Sequence, residues 1–199
     1  MITKSYVTLL GGKPMEYVDP IKEIESINAI KEVLRKQSQR DLLLFVLGIN
    51  TGIRVSDLLA LKVQDVRDES GIKEFLYLRD SGEVKAYYLN SKVHAELESY
   101  LQEHEFKEDE FLFKSQKNNQ PITRQQAYRI INKAAKLVGI TGKIGMHTLR
   151  KTFGYHAYRK GIAISLLMDV YNHTSRSETL KYIGIKKQEK RLVKVDVNL

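Results

Sequence analysis

Residues 145–161, GMHTLRKTFGYHAYRKG, and 166–184, LLMDVYNHTSRSETLKYIG, decide how the rest of this chain is read. His147 and Arg150 lie three positions apart, so on a helix they share a face and can address one small target. An imidazole beside a guanidinium suits an anion. Leu149, Phe153 and Ala157 alternate with Arg150, Lys151 and Arg159, which predicts a helix that Gly161 ends. Ala163 to Val170 predicts a second, short apolar helix, and beyond it come His173 and Tyr182.

Working outward, Gln39 to Asn50 contains LLLFVLGI, apolar nearly all round, which predicts a buried central helix closed by Thr51-Gly52. RVSDLLALKVQDV predicts a helix beginning at Arg54, with Val55, Leu58, Leu59 and Val63 as its buried stripe and Arg54 and Asp57 spaced as an ion pair. Asp19-Pro20 reads as a capped helix start, followed by Ile21, Ile24, Ile27, Ile30 and Leu34 at helical spacing. Residues 72–79 and 84–89 have strand content around the polar turn 80–83 and predict a hairpin. Ser91 is expected to cap a helix with Val93, Leu97, Tyr100 and Leu101 on one face. Thr123 opens another to about Val138, with Tyr128, Ile131, Ala134, Ala135 and Val138 as its stripe and Arg124, Arg129, Lys133 and Lys136 opposite. The expectation is a mainly α chain with a small antiparallel hairpin, an α+β domain over 19–185. An irregular arm (1–18) precedes it and a basic tail (186–199) follows.

At 199 residues the chain can bury a substantial core. Lys and Arg number 33 against 24 Asp and Glu, a net charge of +9, which favours a polyanionic partner. The absence of cysteine removes thiolate and disulfide chemistry and fits a reducing cytoplasm. No run approaches the roughly 18 apolar residues that a membrane span needs. P-loop, HExxH and clustered-carboxylate patterns are missing as well, so neither a metal nor a cofactor is expected.

Taken in order, Arg54 in GINTGIRVSDLLALK, His147-x-x-Arg150, His173 and Tyr182 resemble the active site of the tyrosine recombinases, the phage-integrase family, over roughly residues 20–185. Tyr171-Asn172-His173-Thr174-Ser175 stands where that family often has Leu-Gly-His-Ser-Ser. The resemblance implies the family's catalytic-domain fold and double-stranded DNA as partner. It also implies self-association on DNA as a dimer or tetramer, and a cytoplasmic, nucleoid-associated protein. Tyr182 would attack a DNA phosphate to give a covalent 3′-phosphotyrosine. Arg54 and Arg150 would carry the phosphate charge, His147 would serve as base, His173 as a further donor, and Asp57 would brace the site. Arg124, Arg129, Lys133 and Lys151 would touch DNA. Elementary chemistry agrees: guanidinium forks match phosphate, and a phenol with pKa near ~10 needs help losing its proton.

One position departs from the pattern. The family hairpin carries a lysine credited with protonating the leaving 5′ oxygen, and here Asp80 takes its place, with Lys85 or Arg79 as possible substitutes. Two readings follow: a site-specific recombinase acting at mobile-element or phage attachment sites, or a DNA-binding regulator or accessory protein that keeps the fold with impaired catalysis. A basic RNA-binding or scaffold protein has charge alone behind it.

Overall fold

A computed structural model describes residues 18–80, 82–103, 105–115 and 117–186. The arm and tail expected at 1–18 and 186–199 fall outside the described residues except for Val18 and Lys186. The run Leu42–Leu47 is buried on every side, and the helix that carries it, α2 (Gln39–Thr51), packs against α1 (Ile24–Gln37), α5 (Ser91–Gln102) and α7 (Met146–Arg159). Each large side chain removed from water there contributes roughly 1.5–3 kcal/mol. Gly52, in the left-handed conformation at φ 68°, ends α2. A Cβ at that position would lie 2.3 Å from the Phe153 ring, so glycine is needed for space as well as for torsion.

Three expected starts and stops move, the first two because tertiary partners claim the backbone and the third because a neighbouring side chain makes the cap. α1 begins at Ile24 rather than at Pro20. The preceding residues are pinned on and beside α7: Asp19 N–H donates to the Lys143 carbonyl (3.1 Å) and Ile21 N–H to Thr152 Oγ1 (2.9 Å). The helix expected from Arg54 to Val66 breaks into α3 (Val55–Ala60) and α4 (Val63–Val66). At the break Leu61 C=O accepts from Leu112 N–H (2.7 Å) and Val63 N–H donates to the Glu110 carbonyl (3.0 Å). Asn90, not Ser91, caps α5, accepting from the Lys92 and Val93 amides.

The strands β1 (Arg67–Asp68) and β2 (Gly71–Ile72) form one small antiparallel ladder. β3 (Phe75–Asp80) and β4 (Glu83–Tyr88) form the expected hairpin, in the register Leu78↔Lys85 and Asp80↔Glu83. Alternation then puts Leu76, Asp80, Lys85 and Tyr87 on the inward face and Tyr77, Arg79, Val84 and Tyr88 on the outward one. In α6 (Arg124–Leu137), capped by the Thr123–Gln126 box, Ala127 rather than Tyr128 enters the core, and Tyr128 stays exposed. α8 (Ile164–Tyr171) and α9 (Arg176–Tyr182) complete the chain order. They close a second, smaller apolar cluster, with Leu167, Tyr171, Ile183 and Ile185 packed against Phe153 and Leu180. Among the described residues the architecture is mainly helical with two small antiparallel sheets. No helix among the described residues is long and apolar enough to cross a membrane.

Candidate active site

Arg54, Arg124, His147, Arg150, Tyr171, His173 and Tyr182 line one cavity of about 300 Å³, together with Val55, Ser56 and Met146. Each reaches it by a local rule. Gly52 turns the chain out of α2 so that Arg54 stands at the N-cap of α3, and the carbonyl of Gly52 itself accepts from Arg150 Nη1. Gly145 starts α7: its carbonyl accepts from Thr148 N–H and its own N–H donates to Thr148 Oγ1, both at 3.0 Å. This puts His147 and Arg150 on the first turn and the next, facing the same side.

Arg150 is buried, and its guanidinium is held from three directions. Nη1 donates to Gly52 C=O, Nη2 donates to Val170 C=O at 2.7 Å, and the plane lies 4.7 Å over the Tyr171 ring. Tyr171 locks the arrangement, its hydroxyl donating to Arg150 C=O at 2.9 Å. Gly154 must be glycine for this contact, since a Cβ there would lie 2.1 Å from the Tyr171 hydroxyl oxygen. The sequence reading missed Tyr171, although its place two residues before His173 was a usable signal.

His147 is on the cavity wall, and burial, then the charges of Arg124, Lys151 and Arg150, push its pKa below the ordinary imidazole value. His173 is lowered too, by burial first and also by Arg150, while Glu178 pulls it upward. Its Nδ1 lies 3.1 Å from Thr179 Oγ1, and that hydroxyl donates to Ser175 C=O. With the hydroxyl proton on Ser175 C=O, the ring that donates from Nδ1 is the neutral tautomer whose lone pair is on Nε2. Tyr182, the last residue of α9, is half-buried at the cavity edge. Its ring stands 5.2 Å from His173, edge-on, and 5.0 Å from Tyr171. Burial raises its pKa, against the opposing charge and hydrogen bond of Arg150 and the charge of Arg54.

The remaining expected site residues divide. Arg54 pairs with Asp80 (Nη1 to Oδ1, 2.6 Å), whereas Asp57 accepts from Ser56 Oγ at 3.2 Å and acts on Arg54 through its charge. Lys151 turns inward, donating to Val18 C=O at 2.8 Å and lying 5.2 Å over the Tyr182 ring, so the expectation of a DNA-facing lysine there is corrected. The reason is helical phase: one residue on from Arg150, position 151 faces the segment 18–21. Arg129 and Lys133 are exposed on α6, whose first residue, Arg124, reaches the cavity. Arg79 lies on the outward hairpin face. Lys85 lies on the inward face, but its ammonium is engaged by Asp169 C=O (2.7 Å), by Asn172 Oδ1 and by Asp80 Oδ2 (3.4 Å). An ammonium has three protons to donate, and three acceptors already face them.

A helical domain that brings Arg54, His147, Arg150, His173 and Tyr182 to one cavity, with Arg124 and Tyr171 beside them, has the architecture of a tyrosine recombinase catalytic domain. Solved structures agree on the fold. The chain aligns with a XerA recombinase at TM-score 0.71 (21% identity, covering 89% of this chain and 62% of that one). It aligns with a XerH site-specific recombinase bound to palindromic difH substrate at TM-score 0.68 (24% identity, 93% and 55%). The phage integrase family model matches residues 20–189, and the chain belongs to that family. It is 42% identical over 171 residues to a probable integrase/recombinase, YoeC, of Bacillus subtilis, covering 86% of this chain and 92% of that relative. A tyrosine recombinase of Pseudothermotoga lettingae is 32% identical and XerA of Pyrococcus furiosus 30%; this chain spans only 52% and 56% of their lengths.

Proposed function

We propose that this chain cuts and rejoins double-stranded DNA at specific sites, with Tyr182 as nucleophile, and that the reading rests chiefly on one observation: Arg54, His147, Arg150, His173 and Tyr182 share one cavity. Tyr182 Oη attacks the phosphorus, the P–O5′ bond breaks, the departing 5′ oxygen takes a proton from solvent to leave as a hydroxyl, and a 3′-phosphotyrosine forms that conserves the bond for resealing by that hydroxyl. Arg54 and Arg150 hold the non-bridging oxygens and match the charge that grows on them. A neutral imidazole, His147 or the Nε2 of His173, takes the phenol proton. Tyr171 also lines the cavity, but its hydroxyl is committed to the Arg150 carbonyl and burial raises its pKa further, which favours Tyr182. Arg124, Arg129 and Lys133 contact DNA phosphates, and assembly on DNA as a dimer or tetramer brings two duplexes together. The net charge of +9 supports the polyanionic partner.

The second reading, a DNA-binding regulator with impaired catalysis, has a specific observation in its favour. On the hairpin, position 80 is acidic, Arg79 faces outward and the protons of Lys85 are taken. A lost general acid costs roughly 10²–10⁴-fold in rate. A nicked suicide duplex separates the two readings. A covalent protein–DNA adduct that is present in wild type and gone in Tyr182→Phe supports the enzyme. Equal DNA binding by both proteins with no adduct in either supports the regulator.

A further inference from the structure

We infer that Asp80 is a positioning residue that holds Arg54 in register with the cavity and clamps the β3–β4 hairpin onto the α8–α9 junction carrying His173. This rests on the proposed reading of the cavity and assigns position 80 a purpose that its acidic character alone argues against. The geometry is that of a hub. Asp80 has 8% exposure and does not line the cavity; it stands behind Arg54, on the inward face of β3. Both carboxylate oxygens are used: Oδ1 pairs with Arg54 Nη1 at 2.6 Å, while Oδ2 accepts from Asn172 Nδ2 at 2.9 Å and meets Lys85 Nζ at 3.4 Å. The closest contact is Nη1 to Oδ1, and a guanidinium has five N–H donors, more than one carboxylate can take, which leaves donors for a phosphate in front. Repulsion of the phosphate is muted because two cations flank the carboxylate.

The second arm of the hub reaches the other side of the site. Asn172 is the left-handed C-cap of α8, at φ 57°, directly before His173, and it receives Lys85 on Oδ1 while giving Nδ2 to Asp80. Lys85 also holds the Asp169 carbonyl in the last turn of α8. One buried carboxylate thus ties together an arginine from the α2–α3 turn, a lysine from β4 and the residue preceding His173. A lysine at position 80 would meet Arg54 and Lys85 as like charges and break all three ties.

The two views of position 80 predict opposite signs for Asp80→Lys. As a hub, the substitution lowers the rate of adduct formation at saturating nicked duplex by about 10²-fold, the scale of a catalytic group misplaced by an ångström. Asp80→Asn lowers it by about tenfold, with DNA affinity unchanged or tighter because a negative charge has gone. A rate in Asp80→Lys equal to or above wild type overturns the inference. A readout that needs no cleavage keeps it testable if the chain forms no adduct. In ¹⁵N NMR the Arg54 guanidinium gives resolved, slowly rotating N–H signals in wild type that average in Asp80→Asn, while the His173 amide shifts. Signals that stay resolved in Asp80→Asn overturn the hub whatever the chemistry. Signals that average, in a protein whose wild type forms no Tyr182-dependent adduct, keep the hub and reject the enzyme.

Discussion

Among the groups that line the cavity, Arg54 and Arg150 stand on a different foundation from His173 and Tyr182. Arg54 and Arg150 are attached to the large core: Arg54 follows the end of α2, and Arg150 lies on α7, whose Leu149 is packed within that core. His173 and Tyr182 stand on the small cluster under α8 and α9, where Leu167, Tyr171, Ile183 and Ile185 are the buried apolar residues and Leu166 is exposed at 56%. Arg150 bridges the two, with one guanidinium nitrogen on Gly52 and the other on Val170. On the proposed reading the charge-absorbing half is set by global folding, and the half that carries Tyr182 is expected to open locally while the rest stays folded.

The strongest break in that comparison comes from matched cavities. Leu44→Ala, at the centre of α2, is expected to lower global stability by about 2–5 kcal/mol in chemical denaturation. Ile183→Ala removes a side chain as completely buried, but in the smaller cluster, so the expected loss is at the low end of that range, about 2 kcal/mol. Native-state hydrogen exchange should show the loss confined to α8 and α9, with adduct formation falling while the α2 amides keep their protection. Equal global losses from both variants, with α2 and α9 exchanging together, would show one cooperative unit and no asymmetry.

The two halves also differed in how far they could be read from sequence. The core half follows from periodicity and punctuation. LLLFVLGI has no polar face to leave outside, and the glycine after Thr51 has to turn the chain, so α2 and the position of Arg54 are visible in the residues. What escaped the reading is contact between distant segments. Nothing local says that residues 18–23 give their backbone groups to α7 and to the carbonyl of Lys143, which is why a good capping pair at Asp19-Pro20 starts no helix. Nor does spacing reveal that Arg54 chooses Asp80 over the closer Asp57, because the hairpin register decides it. In the small half the motif residues were legible, but the support of Arg150 by Tyr171 and the inward turn of Lys151 depend on how α8 and the segment 18–21 pack on α7.

A pH series sharpens the comparison by asking which half supplies the base. Both imidazoles are shifted down, mainly by burial, so both are neutral at pH 7. A rate that needs a neutral imidazole is therefore held at pH 7 and lost as pH falls through a value below the ordinary ~6.5, by about tenfold per unit, or about 1.4 kcal/mol. If His147 is the base, on the core side, His147→Asn removes the acid limb and Glu178→Gln leaves it in place. If His173 is the base, Glu178→Gln moves the limb to lower pH, because the carboxylate that raises the His173 pKa has gone. An acid limb that persists unshifted in both variants would mean that neither imidazole takes the proton.

The smallest expected effect tests the joint between the halves. The Tyr171 hydroxyl donates to Arg150 C=O at 2.9 Å, on the backbone of α7. Tyr171→Phe removes that oxygen but keeps the ring over which the Arg150 guanidinium lies at 4.7 Å. The Arg150 carbonyl keeps its place in α7 without the hydroxyl, so the cost should be one neutral hydrogen bond, about 0.5–1.5 kcal/mol. Adduct formation should change by less than about tenfold, since Arg150 keeps its ring and both carbonyl anchors. Tyr171→Leu, which deletes the ring face as well, should cost more on both counts. The joint is then a matter of packing, with the hydroxyl as a minor reinforcement. If Tyr171→Phe instead abolished the adduct at unchanged stability, the hydroxyl itself would belong to the chemistry, and the roles of the two neighbouring phenols would have to be exchanged.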